Sequence, residues 1–210
     1  MAGEGAEPVR HRVVHTAAVD GLGRYQLLTS LVVPRPIGWV STRGKDGVPN
    51  LAPFSFFSAM APTPMLVSLS IGTRRGEAKD SLRNILDQRA FCVNVVTERH
   101  LEAMNGTAEG LPPDGDEFAA VGLSLAEADT VDAPYVAECP AVLECELHTH
   151  VDLGEAGGLV LGEVMGVRLD PELEIVEGSA FVDTEALRPV GRLWGPAYSL
   201  LGEIRVISRP

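Results

Sequence analysis

The sequence predicts a mainly β protein of the α+β class, in which the strands form a barrel accompanied by a few short helices. Three observations lead to this prediction. Short β-prone or alternating runs recur along the chain, separated by turns rich in Gly, Asp and Pro. The few helical segments do not alternate regularly with the strands, as a doubly wound sheet would require. The sequence also lacks the G-x-G-x-x-G pattern of a Rossmann dinucleotide cradle.

The first part of the chain predicts a leader followed by a hairpin. Residues 1–20 have no hydrophobic period, so we expect a ragged leader there and one domain over residues 21–210. Ile37–Thr42 is a short β-prone run, and the Gly and Asp residues of Arg43–Gly47 suit a turn. We expect Asn50–Ser58 to return as the second arm of this hairpin.

One helix and several strands are predicted further along. Apolar residues spaced at i, i+4, i+7 and i+8 form one stripe between residues 77 and 88, which predicts a helix there. The other expected elements are strands at 64–71, 91–96, 141–151 and 159–169, a short strand at 174–175, a short helix at 98–104 and a loop at 106–116.

Composition narrows the class of protein. The chain has 210 residues, 45% of them hydrophobic and 22% charged, as expected for one globular domain. Its net charge of -12 argues against a sequence-independent nucleic-acid binder and against an anionic membrane surface. We find no secretory signal pattern and no apolar run of ~18 residues. Three cysteines without a C-x-x-C pair predict reduced, partly buried thiols in a cytoplasmic protein.

The most informative residues are three pieces within Pro34–Asn84, followed by shorter ones. They are Pro34–Thr42 (PRPIGWVST), Asn50–Phe57 (NLAPFSFF), Lys79–Ile85 (KDSLRNI), Glu117–Phe118, Gly122–Leu123, Cys139–Cys145 (CPAVLEC), Gly191–Gly195 (GRLWG) and Tyr198. In order and spacing, these pieces resemble the flavin reductase-like family of FMN-binding split barrels. The resemblance covers roughly residues 25 to 205, and it implies a split β-barrel that binds FMN.

The residues of the predicted hairpin suit a flavin ring. Isoalloxazine needs apolar walls and hydrogen-bond donors along its edge, and this hairpin carries aromatic, hydroxyl and amide side chains. The family resemblance implies that the segment Ala52–Phe57 lies against the flavin. The candidate residues in the hairpin are Trp39, Ser41, Thr42, Asn50, Ala52, Pro53, Phe54, Ser55, Phe56 and Phe57.

The beginning of the predicted helix suits a phosphate. Lys79, Asp80 and Ser81 fall in its first turn, where free N–H groups and the positive end of the helix dipole favour an anion. Lys79 adds a formal charge, and Arg74 and Arg75 lie just upstream as further cations. We expect Asp80 to cap the helix or to orient its neighbours. The family resemblance also implies that this Lys-Asp-Ser stretch lies near the phosphate tail.

Each of these features has a purely structural alternative. Lys79 and Asp80 can form an ordinary solvated helix start, and the three phenylalanines between residues 54 and 57 can belong to the core. Trp39 on a strand can simply pack. His148 and His150 lie two apart on a predicted strand, which would put them on one face. We expect a surface or groove pair there without a metal, because no third ligand with suitable spacing is evident.

The resemblance implies an FMN-binding oxidoreductase, namely an NAD(P)H-dependent flavin reductase. It also implies a homodimer with the flavin at or near the interface, and an oxygenase or another electron acceptor. The segment Leu193–Tyr198 either closes that site or packs on its own barrel. No catalytic side chain is nominated, because hydride transfer demands no protein acid or base.

Two other functions stay open. Several family members carry a Gly-Asp-His segment that faces the nicotinamide, whereas here Gly154–Leu159 reads GEAGGL. This departure favours a non-enzymatic, flavoredoxin-like electron carrier as the alternative. The third interpretation is a flavin-free barrel with another ligand, such as haem or a deazaflavin.

Overall fold

The computed structural model describes residues 9–109 and 115–208, so residues 110–114 of the predicted 106–116 loop and the first eight residues of the predicted leader lie outside it. The helices are α1 (Gly21–Leu31), α2 (Asp80–Gln88), α3 (Leu101–Gly106), α4 (Glu117–Ala120) and α5 (Thr184–Leu187), with single 3-10 turns at Thr16–Ala18, Glu98–His100 and Gly154–Ala156. The strands are β1 (Arg35–Pro36), β2 (Gly38–Arg43), β3 (Pro49–Phe54), β4 (Phe57–Pro62), β5 (Met65–Ile71), β6 (Thr73–Arg74), β7 (Glu77–Ala78), β8 (Ala90–Val95), β9 (Leu125–Glu127), β10 (Pro134–Val136), β11 (Ala141–Asp152), β12 (Gly158–Leu169), β13 (Gly191–Arg192) and β14 (Tyr198–Ser199).

The main sheet is a curled antiparallel sheet of seven strands in the order β3-β2-β8-β11-β12-β5-β4. Its two edge strands, β3 and β4, are separated in the chain by only Ser55 and Phe56. Because two residues cannot cross a flat seven-stranded sheet, the edges must meet, and the sheet closes into a barrel. The ladder is not continued between β3 and β4, which leaves an open seam at this place. The predicted mainly β barrel is confirmed.

Both faces of the central strands are buried. On β8, Phe91 and Val93 pack in one apolar cluster, which also contains Leu82 and Ile85 of α2. Cys92, between them, packs in a second cluster on the other face of the sheet. This alternation follows from the two-residue period of a strand, and it explains why β2 and β8 are near-continuous buried runs in the sequence.

The three cysteines are free and buried. Burial raises the pKa of Cys139 and of Cys145 to about 12, and it raises the pKa of Cys92 as well. These thiols therefore stay protonated at neutral pH and act as small apolar side chains.

Several predicted elements differ from the observed ones. Asn50–Ser58 is not one strand, because β3 ends at Phe54 and the chain changes to the opposite sheet edge. The predicted 77–88 helix begins only at Asp80, since Glu77 and Ala78 form a strand. Leu86, assigned to its apolar stripe, is 39% exposed.

Helix α1 was not predicted. It begins after Asp20, whose carboxylate accepts a hydrogen bond from the Gly23 N–H at 2.7 Å and so caps the first turn. The predicted strand at 174–175 is a single antiparallel bridge between Ile175 and Val182. No helix in the described part of the chain is long and apolar enough to cross a bilayer.

Candidate functional site

A cleft with a volume of about 890 Å³ opens beside the seam, where β3 faces the start of α2 and the β6–β7 hairpin. This volume falls within the ~300–1,000 Å³ of typical small-molecule sites. The cleft is lined by Asn50, Ala52, Pro53, Phe54, Thr73, Arg74, Arg75, Glu77, Ala78, Lys79, Asp80, Ser81, Arg83, Thr107, Ala108, Glu109 and Glu117. The fold thus brings one arm of the predicted hairpin against the predicted phosphate segment.

Lys79 is the residue immediately before α2, and its side chain is partly buried in the cleft wall. Its Nζ lies 5.3 Å from the centroid of the Phe54 ring. Burial lowers the pKa of Lys79, and the nearby charge of Arg74 lowers it further. Among residues 9–109 and 115–208, neither Lys79 nor Arg74 has a carboxylate within 4.0 Å. The two cations therefore have no ion-pair partner in the described residues, while the carboxylates that line the same cleft lie further from them.

The first turn of α2 is open to the cleft. No side chain caps it, so the helix begins with free backbone N–H groups. Ser81 is buried, and its Oγ accepts a hydrogen bond from Asn50 Nδ2 at 2.9 Å, which ties β3 to the helix. Of the two roles expected for Asp80, capping the helix or orienting its neighbours, capping is not observed, and its carboxylate pairs with Arg83 one turn on. Asp80 orients that arginine instead.

The segment between the two edge strands turns away from the cleft after Phe54. Ser55 Oγ lies 3.5 Å from Arg35 Nε, and Phe56 is 42% exposed with the Arg35 guanidinium 5.9 Å from its ring centroid. The Phe57 ring packs against Gly38, where a Cβ would meet it at 3.1 Å. Ala52, Pro53 and Phe54 therefore lie on the cleft, whereas Ser55, Phe56 and Phe57 lie along the seam.

Trp39, Ser41 and Thr42, predicted to contact the ligand, lie in the core behind the cleft, and all three are fully buried. Trp39 Nε1 donates to Thr107 Oγ1 at 2.9 Å, and Ser41 Oγ donates to the Pro134 carbonyl at 2.6 Å. Thr42 Oγ1 accepts from Asn84 Nδ2 at 3.0 Å. The polar atoms of these three side chains form hydrogen bonds inside the protein. The three residues therefore pack in the core and position their neighbours, and they do not line the cleft. Burial on both faces of β2 is the physical reason.

Two further cleft residues, Thr107 and Glu117, were given no site role from the sequence, where Glu117 appeared only as part of the family resemblance. Thr107 follows α3 and accepts the Trp39 N–H, while Glu117 begins α4 and accepts the Leu51 N–H on Oε2 at 3.2 Å. Burial raises the pKa of Glu117 above the ordinary range of a carboxyl, and the negative charge of Asp80 adds to this. Both residues are far from the hairpin in sequence, and only barrel closure brings them near it.

The histidine pair lies on β11. A register shift between Leu147 and Thr149 interrupts the two-residue period that would put both histidines on one face. His148 Nδ1 lies 3.2 Å from Glu163 Oε2, whereas His150 Nε2 is buried beside Gly158 without a hydrogen-bond partner. In the described residues no cluster of three or more His, Cys, Asp or Glu side chains is arranged to hold a metal ion.

The open-seamed barrel and the cleft beside its seam define the class of this protein, a split barrel with a candidate ligand site. The family model for the flavin reductase like domain matches residues 30–179. The chain belongs to this flavin reductase-like family. An uncharacterized protein of Aquifex aeolicus is 38% identical over 180 residues, which is 85% of this chain and 90% of the relative.

Solved structures agree with this assignment. Nitrilotriacetate monooxygenase component B from Bacillus cereus aligns with a TM-score of 0.90 at 30% identity, covering 95% of this chain and 100% of that one. The 2-nitrobenzoate 2-nitroreductase NbaA of Pseudomonas fluorescens aligns at 0.86 and 30% identity, covering 95% and 96%. A split-barrel protein described as a flavin reductase from Shewanella frigidimarina shares the fold, with a TM-score of 0.82, 23% identity and coverage of 93% and 96%.

Proposed function

We propose that this chain binds FMN in the cleft and works as an NAD(P)H-dependent flavin reductase that passes electrons through the bound flavin to a second acceptor. The observation that carries the proposal is the pair Lys79 and Arg74, two cations without a carboxylate partner in the described residues of a chain whose net charge is -12. A dianionic phosphate between them would favour the charged form of Lys79, whose pKa is lowered by burial and, to a lesser extent, by the charge of Arg74.

The residues of the cleft fit the parts of FMN. Lys79, Arg74 and the free N–H groups of the first turn of α2 would hold the phosphate. The hydrogen bond between Asn50 and Ser81 joins β3 to α2 and so fixes the distance between the two walls of the cleft. Ala52, Pro53 and Phe54 supply apolar surface and backbone polar groups for the flavin beyond its phosphate.

The chemistry is divided between cofactor and protein. Bound flavin supplies the capacity to take two electrons from a nicotinamide and to give them to an acceptor. The chain binds and orients it, and the apolar surface of β3 excludes water from one side of the cleft. Because this transfer needs no protein acid or base, we assign no catalytic side chain.

A second copy of the chain completes the protein in this proposal. Four apolar side chains stay exposed on three neighbouring strands at one end of the sheet, namely Met60 of β4, Met65 of β5, and Met165 and Val167 of β12, each 46–56% exposed. An apolar patch of this kind on a globular protein suits an interface. In this proposal the interface between the two copies lies at or near the flavin.

The electron acceptor in this proposal is an oxygenase or another protein or small molecule that takes electrons from reduced flavin. The Bacillus cereus structure is component B of a monooxygenase. Its similarity over the whole length of that chain supports an oxygenase partner here as well.

A non-enzymatic FMN-binding carrier is the second candidate. The observation that favours it is the sequence Gly154–Leu159, which has no histidine where several family members have one that faces the nicotinamide. In the structure, this segment contacts the base of the β6–β7 hairpin through the Thr73 hydroxyl and the Glu155 carbonyl.

Two measurements on the purified full chain separate these functions. Titration with FMN, followed by flavin fluorescence, should show saturable binding, and failure to bind any flavin would overturn the proposal. The FMN-loaded protein is then mixed anaerobically with NADH or NADPH in a stopped-flow instrument. A reductase loses its visible flavin absorption with at least one of the two donors, whereas a carrier keeps it with both.

A further inference from the structure

Three non-glycine residues in the described part of the chain have a left-handed backbone, and all three are arginines. Their φ angles are 54° at Arg75, 60° at Arg89 and 48° at Arg188. This conformation is unfavourable for a residue with a Cβ, and Gly, Asn and Asp adopt it at lower cost. An arginine at such a position is therefore expected to make a side-chain interaction that offsets the cost of its backbone.

The side chains of two of these arginines have partners within the protein. Arg89 Nη2 donates to the Leu147 carbonyl at 2.7 Å, and Arg188 Nη2 pairs with Glu98 at 2.8 Å. Arg75 has no hydrogen bond and no ion pair with any residue in 9–109 or 115–208, and it is exposed. A partner for the Arg75 guanidinium is therefore not found among the described residues.

The position of Arg75 is well defined. It occupies, with Gly76, the two-residue turn between β6 and β7, and it lines the same cleft as Lys79. The base of the hairpin is held by the hydrogen bond from Thr73 Oγ1 to the Glu155 carbonyl at 3.2 Å. Gly157 packs so closely there that a Cβ would lie 2.1 Å from the Ile71 carbonyl oxygen. A fixed base thus presents Arg75 at the rim of the cleft.

We propose that Arg75 forms a second anion subsite, which binds a phosphate of an adenine nucleotide unit in addition to the flavin phosphate. This inference rests on the proposed function. Lys79 and Arg74 line the same cleft at the start of α2 and on β6, and we assign these two cations to the flavin phosphate. Arg75 is the next residue, in the turn of the β6–β7 hairpin. Such a phosphate belongs either to the AMP half of FAD or to NADPH. Four carboxylates line the cleft, and none of them pairs with Arg75, which leaves it available to an anion: Asp80 pairs with Arg83, Glu117 accepts the Leu51 N–H, and Glu77 and Glu109 form no ion pair in the described residues.

The test uses Arg75→Asn, because asparagine tolerates the left-handed backbone and has no charge. The matched control is Arg188→Asn, the same change at another left-handed arginine outside the cleft. In the first arm, dissociation constants for FMN and FAD are measured by fluorescence. In the second arm, 2′,5′-ADP and 5′-AMP are titrated into the FMN-loaded protein by calorimetry, since these probes differ in the 2′-phosphate.

We expect Arg75→Asn to weaken either FAD or 2′,5′-ADP at least tenfold more than it weakens FMN, as for a lost charge-assisted contact. Loss of FAD binding identifies a dinucleotide flavin, and loss of 2′,5′-ADP binding identifies NADPH. Equal weakening of FMN and FAD, or no change in either arm, overturns the subsite while leaving the proposed function intact. A wild-type protein that binds no FMN overturns both.

Discussion

The ammonium group of Lys79 lies 5.3 Å from the centre of the Phe54 ring, so a cation at the start of α2 faces an aromatic side chain at the end of β3. This contact crosses the cleft wall between the two segments that the sequence assigns to the phosphate and to the ring of FMN. It stabilises the charged form only in part, because burial and Arg74 still depress the pKa of Lys79. An anion bound beside Lys79 would stabilise its charged form further.

Replacing Lys79 by methionine tests which part of the ligand the cation contacts. We expect Lys79→Met to weaken FMN binding by about 1.5–3 kcal/mol, or roughly 10- to 150-fold, because a charge-assisted contact to phosphate is lost. Riboflavin, which lacks the phosphate, should bind as it does to the wild type. Fluorescence titration of both ligands measures this. Lys45→Met, at an exposed lysine paired with Asp87, is the control, and equal losses for both flavins would show that Lys79 does not face the phosphate.

The raised pKa of Glu117 predicts how the stability of the fold depends on pH. Burial raises its folded-state pKa, so the fold favours the protonated carboxyl over the ionised one. Its contribution to stability is therefore full below the pKa of the unfolded chain and is lost as the pH rises through the folded-state pKa. We expect Glu117→Gln to be more stable than the wild type at pH 7, with the difference shrinking as the pH falls.

Urea unfolding of the flavin-free protein at a series of pH values measures this difference. The amide side chain of the Glu117→Gln variant keeps an oxygen that can accept the Leu51 N–H, so the substitution removes the charge without removing the hydrogen bond. Glu102→Gln on the exposed side of α3 is the control. A variant that is less stable than the wild type at pH 7 would show that the ionised carboxylate, not the neutral one, is favoured in the fold.

The sequence predicted α2 and the strands β2, β5, β8, β11 and β12 because each has a local signal. The two-residue period of β5 and the apolar stripe of α2 are visible within about ten residues, and the cleft does lie between the hairpin and α2. Whether Trp39 faces a ligand or the core depends instead on what covers β2 from both sides. That is a property of barrel closure, which no local pattern contains.

The remaining differences have the same origin. Glu117 reaches Leu51 from 66 positions away, and Thr107 reaches Trp39 from 68. No short motif indicates such pairs. The change of sheet edge after Phe54 was missed because the two residues between β3 and β4, Ser55 and Phe56, include no Gly, Pro or Asn to mark a break.

The hydrogen bond between Trp39 and Thr107 predicts a clear stability effect. Thr107→Val keeps the shape of the side chain but leaves the buried indole N–H without an acceptor, which costs about 1–3 kcal/mol. Thr107→Ser keeps the hydroxyl, so it should be less destabilised than Thr107→Val. Urea unfolding followed by tryptophan fluorescence compares the three proteins. A Thr107→Val protein no less stable than Thr107→Ser would show that the hydrogen bond to the indole does not account for the effect.

The exposed methionines test the proposed pairing of two copies. Met60→Asp or Met165→Asp puts a carboxylate into the apolar patch, and we expect each to weaken a dimer by about 2–4 kcal/mol. Size-exclusion chromatography with light scattering over a range of concentrations measures the change in mass. Leu125→Asp, at an exposed residue of the separate β9–β10 pair, serves as the control. A wild-type protein that stays monomeric at high concentration would contradict the proposed dimer.

Substitutions at two glycines in the β11–β12 connection distinguish the cost of backbone strain from the cost of a steric clash. Gly154 has φ 61° and open space at the Cβ position, so Gly154→Ala should cost only the ~1–2 kcal/mol of a left-handed alanine. Gly157 has φ 99°, and a Cβ there would lie 2.1 Å from the Ile71 carbonyl oxygen and 2.8 Å from Gly72 Cα. Gly157→Ala adds this clash, and we expect it to cost about 3 kcal/mol or more. Because the crowded backbone leads into the β6–β7 hairpin, a folded Gly157→Ala protein should also bind FMN less tightly than Gly154→Ala. Equal stability of the two variants in urea unfolding would mean that the connection moves freely against β5, and the hairpin that carries Arg74 would then have no fixed base.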